Sequence, residues 1–373
     1  SRVPMASHAS GRRRRPHPQP LSRGERGISV LAAAVLLLAA VAAEAQSKVA
    51  TFPARDTLQV RPDGDARAQA LRDALRWEPG AFVVTAVAVG GVVRVVFPSP
   101  RPRGVGAGVD TVVLEWFVAR DAAGRPVEAP AVVVIHTIHP DMPIGRAVAR
   151  LLAAEGFHAF MMQMPEFGRR WSPTEDDARS LFPRLTQAIA DARRARDAVA
   201  ALPNVKPGPV AIEGTSLGGI VAVNAAALDG GGGVIGGADG GGVPAFDPVL
   251  LAFTGADLRR VMTQGLGDAA FLRQRLARGG ISGDRLLNLA DAIEPARLAH
   301  RLNPRRTWLF TASNDLVFPE GTGDTLAKAI GLPADHVVAV RANHYTAVLQ
   351  LPWVVRQMAA VLRGEPKAAA ASP

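Results

Sequence analysis

From residue 131 onward the chain alternates short, continuous apolar runs with longer stretches of helical spacing, and this alternation leaves few folds open. Residues 131–135, 157–162, 210–213, 234–238, 307–311 and 336–340 read as strands. Residues 143–155, 176–202, 217–228, 323–330 and 352–363 read as helices between and after them. A strand that is apolar at every position is covered on both faces, and a strand–helix–strand order makes neighbours parallel. The expected fold is α/β, a mostly parallel central sheet flanked by helices on both faces. Ahead of it, 82–89 and 92–97 flank Gly90-Gly91 as a hairpin, and 111–119 adds a further strand. Residues 46–80 read as an exposed lead-in carrying one helix over 65–77. Residues 81–363 form the main domain, with a small helical cap inserted at 245–303, and 364–373 are a loose tail.

The front of the chain has a different character. Arg12 to Arg15 form a basic run, residues 28–43 are apolar, and Ala43-Glu44-Ala45 places small residues where a signal peptidase cuts. Residues 1–45 are therefore expected to be a signal peptide, with export to the periplasm or the outside. The alternative is a chain anchored to the membrane by 28–43; once the signal is cut, no stable span is left. This segment also carries much of the charge. It holds seven Arg and two Glu, so losing it halves the formal charge from +10 to +5. The remaining basic residues form no stripe with interleaved aromatics, and no nucleic-acid recognition motif is present. Cysteine is absent, which excludes a disulfide framework, Cys-ligated zinc, an iron–sulfur cluster and a thiol nucleophile.

The segment most informative about chemistry is Gly214-Thr215-Ser216-Leu217-Gly218, lying between an apolar strand and a helix. A serine lifted above a sheet on so tight a turn needs small neighbours, and it leaves the Leu217 N–H facing any oxyanion formed beside it. A serine hydroxyl needs a base. Of the six histidines after residue 45, His344 follows the last expected strand and reaches the same sheet edge as Ser216. Asp315, after the strand at 307–311, is the carboxylate suited to orient it; Asp239 competes for that role. The order along the chain is Ser216, Asp315, His344. No P-loop or dinucleotide fingerprint occurs, and no cofactor or metal site is expected.

These features resemble the α/β-hydrolase superfamily over roughly 80–363, with similarity to its dienelactone-hydrolase-like and acetyl-xylan-esterase-like members. The resemblance rests on the serine turn, on Asp315-Leu316-Val317-Phe318-Pro319, on Asn343-His344-Tyr345 and on His136-Thr137-Ile138-His139-Pro140. It implies a Ser–Asp–His serine esterase acting on a small-molecule or polysaccharide-linked carboxylic ester through an acyl-enzyme. The family often has His-Gly where this chain has His136-Thr137. The second oxyanion donor is then the N–H of Ile138 or of Thr137, with Ile138 favoured by the loop alignment. His136 and His139 line the acyl pocket or brace the loop. A hydrolase fold that binds a ligand or partner without catalysis is the alternative from another class.

Overall fold

A computed structural model describes residues 49–59, 62–89, 92–172, 178–229 and 245–365. Among the described residues ten strands form one sheet: β1 (Val49–Arg55), β2 (Ala81–Val89), β3 (Val92–Pro98), β4 (Thr111–Phe117), β5 (Ala131–Ile135), β6 (His158–Gln163), β7 (Ala211–Thr215), β8 (Val249–Ala252), β9 (Thr307–Ala312) and β10 (Val337–Val340). Their order across the sheet is β1-β2-β3-β4-β6-β5-β7-β8-β9-β10. The first four strands pair antiparallel, and β4 meets β6 antiparallel. Every pairing from β6 to β10 is parallel.

The helices are α1 (Ala66–Leu75), α2 (Ala107–Asp110), α3 (Pro143–Ala154), α4 (Leu181–Ala200), α5 (Leu217–Ala227), α6 (Leu258–Gln264), α7 (Asp268–Arg278), α8 (Gly283–Asp291), α9 (Thr322–Ile330) and α10 (Leu351–Arg363). Strand β5 shows why its sequence is apolar throughout. Val132 and Val134 join the cluster holding Val148 and Leu152 of α3 and Val355 and Ala359 of α10. Val133 and Ile135 join the cluster holding Ile189 of α4 and Val221 of α5. Alternate side chains enter opposite layers, so neither face tolerates a polar residue. Because β5 lies between β6 and β7, the chain leaves it in one direction and returns on the other side. That reversal opens a crevice at the carboxyl ends of the strands.

Three expectations need correction. Residues 49–80 are not an exposed lead-in: β1 extends the sheet, and Leu58, Leu71, Leu75 and Trp77 are buried in the main core. The cause is electrostatic. Asp56 accepts from Arg194 Nε at 2.9 Å, from Trp77 Nε1 at 3.1 Å and from the Gly80 N–H at 3.1 Å. Thr57 bonds Asp197 through its N–H and its hydroxyl at 2.8 and 2.7 Å. The helical insertion does not start at 245, because 249–252 is β8 and the helices begin at Leu258. A tetrad of apolar residues flanked by β7 and β9 gains more from the sheet than from a helix turn. The long helix expected from 176 begins at Leu181.

The expected strand at 234–238, residues 1–45 with the apolar stretch at 28–43, and tail residues 366–373 lie outside the described residues. Among the described residues no helix is long and apolar enough to cross a membrane.

The N-terminal attachment is testable. Asp56→Ala leaves the Arg194 guanidinium buried without its carboxylate, which costs about 3–5 kcal/mol. Arg125→Ala, which removes the exposed partner of a surface pair with Asp121, is expected to leave stability near wild type. Urea unfolding of the two variants checks this, and equal stabilities would refute the attachment.

Candidate active site

Ser216 is the single residue between β7 and α5, with φ 56° and ψ −119°. A non-glycine residue in that region is strained, and it is held there by what lies around it. A Cβ on Gly214 would collide with the Gly218 carbonyl and lie 2.7 Å from the Ala222 Cβ. A Cβ on Gly218 would run into the Ile135 carbonyl at the end of β5. The two glycines let α5 seat directly on β5 and β7. The Ser216 N–H donates to Ala252 O at 2.8 Å, extending the β7–β8 ladder by one rung.

The residues expected at the site converge on this point. Ser216 Oγ lies 3.1 Å from His344 Nε2. His344 Nδ1 lies 2.8 Å from Asp315 Oδ2. Asp315 Oδ1 accepts from the N–H groups of Val317 and Phe318, both at 2.9 Å. This carboxylate is therefore held by its own loop, and with Nδ1–H donating to it, Nε2 is free to accept the serine proton. Phe318 stacks on the imidazole at 5.9 Å between ring centroids, and Tyr345 meets it edge-on at 5.6 Å. Asp239 lies outside the described residues.

The other histidines have different partners. His136 is buried between the Thr137 carbonyl, beside Nδ1, and the Met164 N–H, which donates to Nε2 at 3.1 Å. Burial pushes its pKa down to about 4, so it is neutral. It braces the loop and does not line the cavity; His139 does line it. His158 accepts from Trp116 Nε1 and Ala119 N, His336 stacks on Trp308, and His300 pairs with Asp63. Among the described residues no group of three or more His, Asp or Glu is arranged to hold a metal.

Ser216, Leu217, His344, Thr137 and Ile138 open onto a cavity of about 740 Å³. Its walls are largely apolar, with Met164 and Leu185 on one side. One face of α7 contributes Phe271, Leu272 and Leu276. The helical insertion thus supplies a wall of the site.

One group escaped the sequence reading. Glu213, two residues before Thr215 and on the same face of β7, is fully buried. Burial raises its pKa to about 8, and its one bond is from Thr215 Oγ1 at 2.6 Å. The signal was a lone carboxylate inside Val210-Ala211-Ile212-Glu213.

No protein-family model matches the chain, and no curated protein is similar to it in sequence. Among solved structures, an acetyl xylan esterase from Paenibacillus sp. R4 superposes with a TM-score of 0.54 at 16% identity, over 79% of this chain and 95% of that one. The chain has the α/β-hydrolase fold. A puromycin-hydrolyzing peptidase of Mycobacterium tuberculosis is similar at a TM-score of 0.50 and 15% identity, over 77% of this chain and 47% of that one. This chain therefore spans about half the length of that peptidase.

Glu213 yields a prediction with a definite sign. A carboxyl whose pKa is raised on folding stabilises fully below its unfolded value of 4.5, and the stabilisation is lost as pH climbs toward 8. The stability of Glu213→Gln relative to wild type is expected to rise between pH 5 and 8, by at most about 1.4 kcal/mol per pH unit. Denaturant unfolding across that range measures it, and a flat difference would exclude a neutral Glu213.

Proposed function

We propose that this protein is an exported serine hydrolase that cleaves a carboxylic ester through an acyl-enzyme on Ser216. The observation that carries the reading is the unbroken line from Ser216 Oγ through His344 to Asp315, at 3.1 and 2.8 Å, beside an apolar cavity. His344 Nε2 takes the hydroxyl proton as Oγ bonds to the ester carbonyl carbon. The carbonyl π pair moves onto oxygen, and Asp315 stabilises the imidazolium. Collapse of the tetrahedral species breaks the bond to the alcohol oxygen, which leaves with the proton from Nε2. Water then repeats the sequence with His344 as base, releasing the acid and restoring Ser216.

The oxyanion sits at the N-terminus of α5, where the first N–H groups have no partner within the helix. Leu217 supplies one donor. Ile138 supplies the second, and His136 supports that choice over Thr137. The Thr137 carbonyl and the Ile138 N–H belong to one trans peptide and point in opposite directions. Holding the carbonyl against His136 turns the N–H the other way.

The apolar cavity supports an uncharged acyl or alcohol arm of several carbons, on a free ester or one carried by a polysaccharide. Export rests on the basic, apolar and Ala-Glu-Ala order of residues 1–45. A mature N-terminus at Gln46, read by intact-mass analysis, would support it.

The test is hydrolysis of p-nitrophenyl esters from acetate to octanoate. Ser216→Ala is expected to lose at least about 10⁴-fold in kcat. With wild type, kcat/KM is expected to rise with chain length by up to about fourfold per methylene until the cavity is filled. No turnover on any ester, together with no labelling of Ser216 by a fluorophosphonate, would overturn the esterase reading and leave a binding protein on a hydrolase fold.

A further inference from the structure

The turn between α6 and α7 with the first residue of α7, residues 265–268, touches the residue that follows Asp315 and the residue that follows His344. The Leu266 N–H donates to Leu316 O at 2.7 Å. A Cβ on Gly265 would lie 2.6 Å from the carbonyl of Val317, whose own N–H donates to Asp315. The Asp268 N–H donates to the hydroxyl oxygen of Tyr345 at 3.0 Å. Arg273 braces the turn from behind, donating from Nη1 to the carbonyls of Met262 and Gly265 at 3.0 and 3.1 Å.

The Tyr345 contact serves the helix as well. The residue preceding α7 is Gly267, at φ 55°, and it has no side chain with which to cap the helix. The phenolic oxygen takes that place for the first N–H of α7. It fits closely, because a Cβ on Gly267 would collide with it. The chain has one tyrosine, and it is spent on this contact. Leu266, Leu316 and Tyr345 are each more than half exposed, at 51%, 61% and 53%. The contact lies on the surface and adds little to the core, so support of the fold does not account for it.

We propose that Tyr345 is a positioning residue. Through the Asp268 N–H it ties the loop carrying the base to the same turn that holds the loop carrying the acid. The 265–268 turn is then a strut that keeps Asp315 and His344 in line with Ser216, while α7, anchored at the strut, walls the cavity. The inference rests on the reading of those three residues as the reactive centre.

Tyr345→Phe removes the hydroxyl and keeps the ring against His344. With p-nitrophenyl butyrate, kcat is expected to fall about tenfold, since displacements of an ångström or less at a reacting centre cost that much. KM is expected to stay within about twofold, as one hydroxyl of the cavity lining changes and the apolar walls do not. Gly267→Ala, which pushes the phenol aside, is expected to lower kcat by a similar factor. The double variant is expected to be no slower than Gly267→Ala alone, because alanine at φ 55° strains the turn in both and the hydroxyl displaced by the new Cβ is already gone. Thermal unfolding of Tyr345→Phe near wild type confirms that the fold is intact.

Wild-type kcat in Tyr345→Phe would overturn the proposal, as would losses that multiply in the double variant. Failure of the esterase reading is distinguishable: wild type itself would then neither turn over the ester nor take up a fluorophosphonate at Ser216.

Discussion

The close seating of α5 against the end of β5 is the contact on which the rest of the site depends. Gly218 meets the Ile135 carbonyl and Gly214 meets Gly218, so the helix begins one residue after β7 ends. Ser216 has to absorb the change of direction in a single residue and does so at positive φ. The geometry lifts its side chain toward the cavity and aims the helix N-terminus at the space beside it. Loosening this contact with a larger residue would move both the Ser216 side chain and the first N–H groups of α5, because both are set by the same few atoms. The parallel strands then deliver Asp315 and His344 to the same edge, since each lies just after the carboxyl end of its strand.

Electrostatics around the site divides into groups that are charged and groups that burial keeps neutral. His136 and Glu213 both lie near the carboxyl edge of the sheet, one pushed down to about 4 and the other up to about 8. Each is uncharged near neutrality, so neither adds a charge to that edge. Charge is concentrated instead in the buried pairs that fasten the N-terminal segment to α4. Arg193 bonds Asp229 and Asp197, and Arg194 bonds Asp56. Both arginines are buried in α4, and their guanidiniums are met by one carboxylate of the same helix, Asp197, and by Asp56 and Asp229 from other parts of the chain. Arginine suits this use because its planar fork can saturate two carboxylates at once.

The helical insertion has a double role in this arrangement. Its α7 face forms a cavity wall, and the turn before α7 together with the helix's first residue contacts the loops that carry Asp315 and His344. The cavity wall and the loops that carry Asp315 and His344 are therefore linked through one short segment. An insertion that only covered the site would need no such contacts.

Much of this was legible from short windows of sequence. The apolar runs at 131–135 and 307–311, the Gly-x-Ser-x-Gly turn and the order Ser216, Asp315, His344 follow from local periodicity and turn chemistry, which a few neighbouring residues determine. What required the folded chain depends on partners far apart in sequence. Whether 249–252 becomes a strand is decided by the open place between β7 and β9. Asp56 meets Arg194 across 138 positions, and Tyr345 meets Asp268 across 77. His136 became a brace only because the Met164 N–H comes to lie against its ring. Local sequence specified most of the elements and the residue types at the serine turn and the two loops. Tertiary packing chose which of them meet, because burial energy and the pairing of buried charges are properties of the assembled layers and of no single segment.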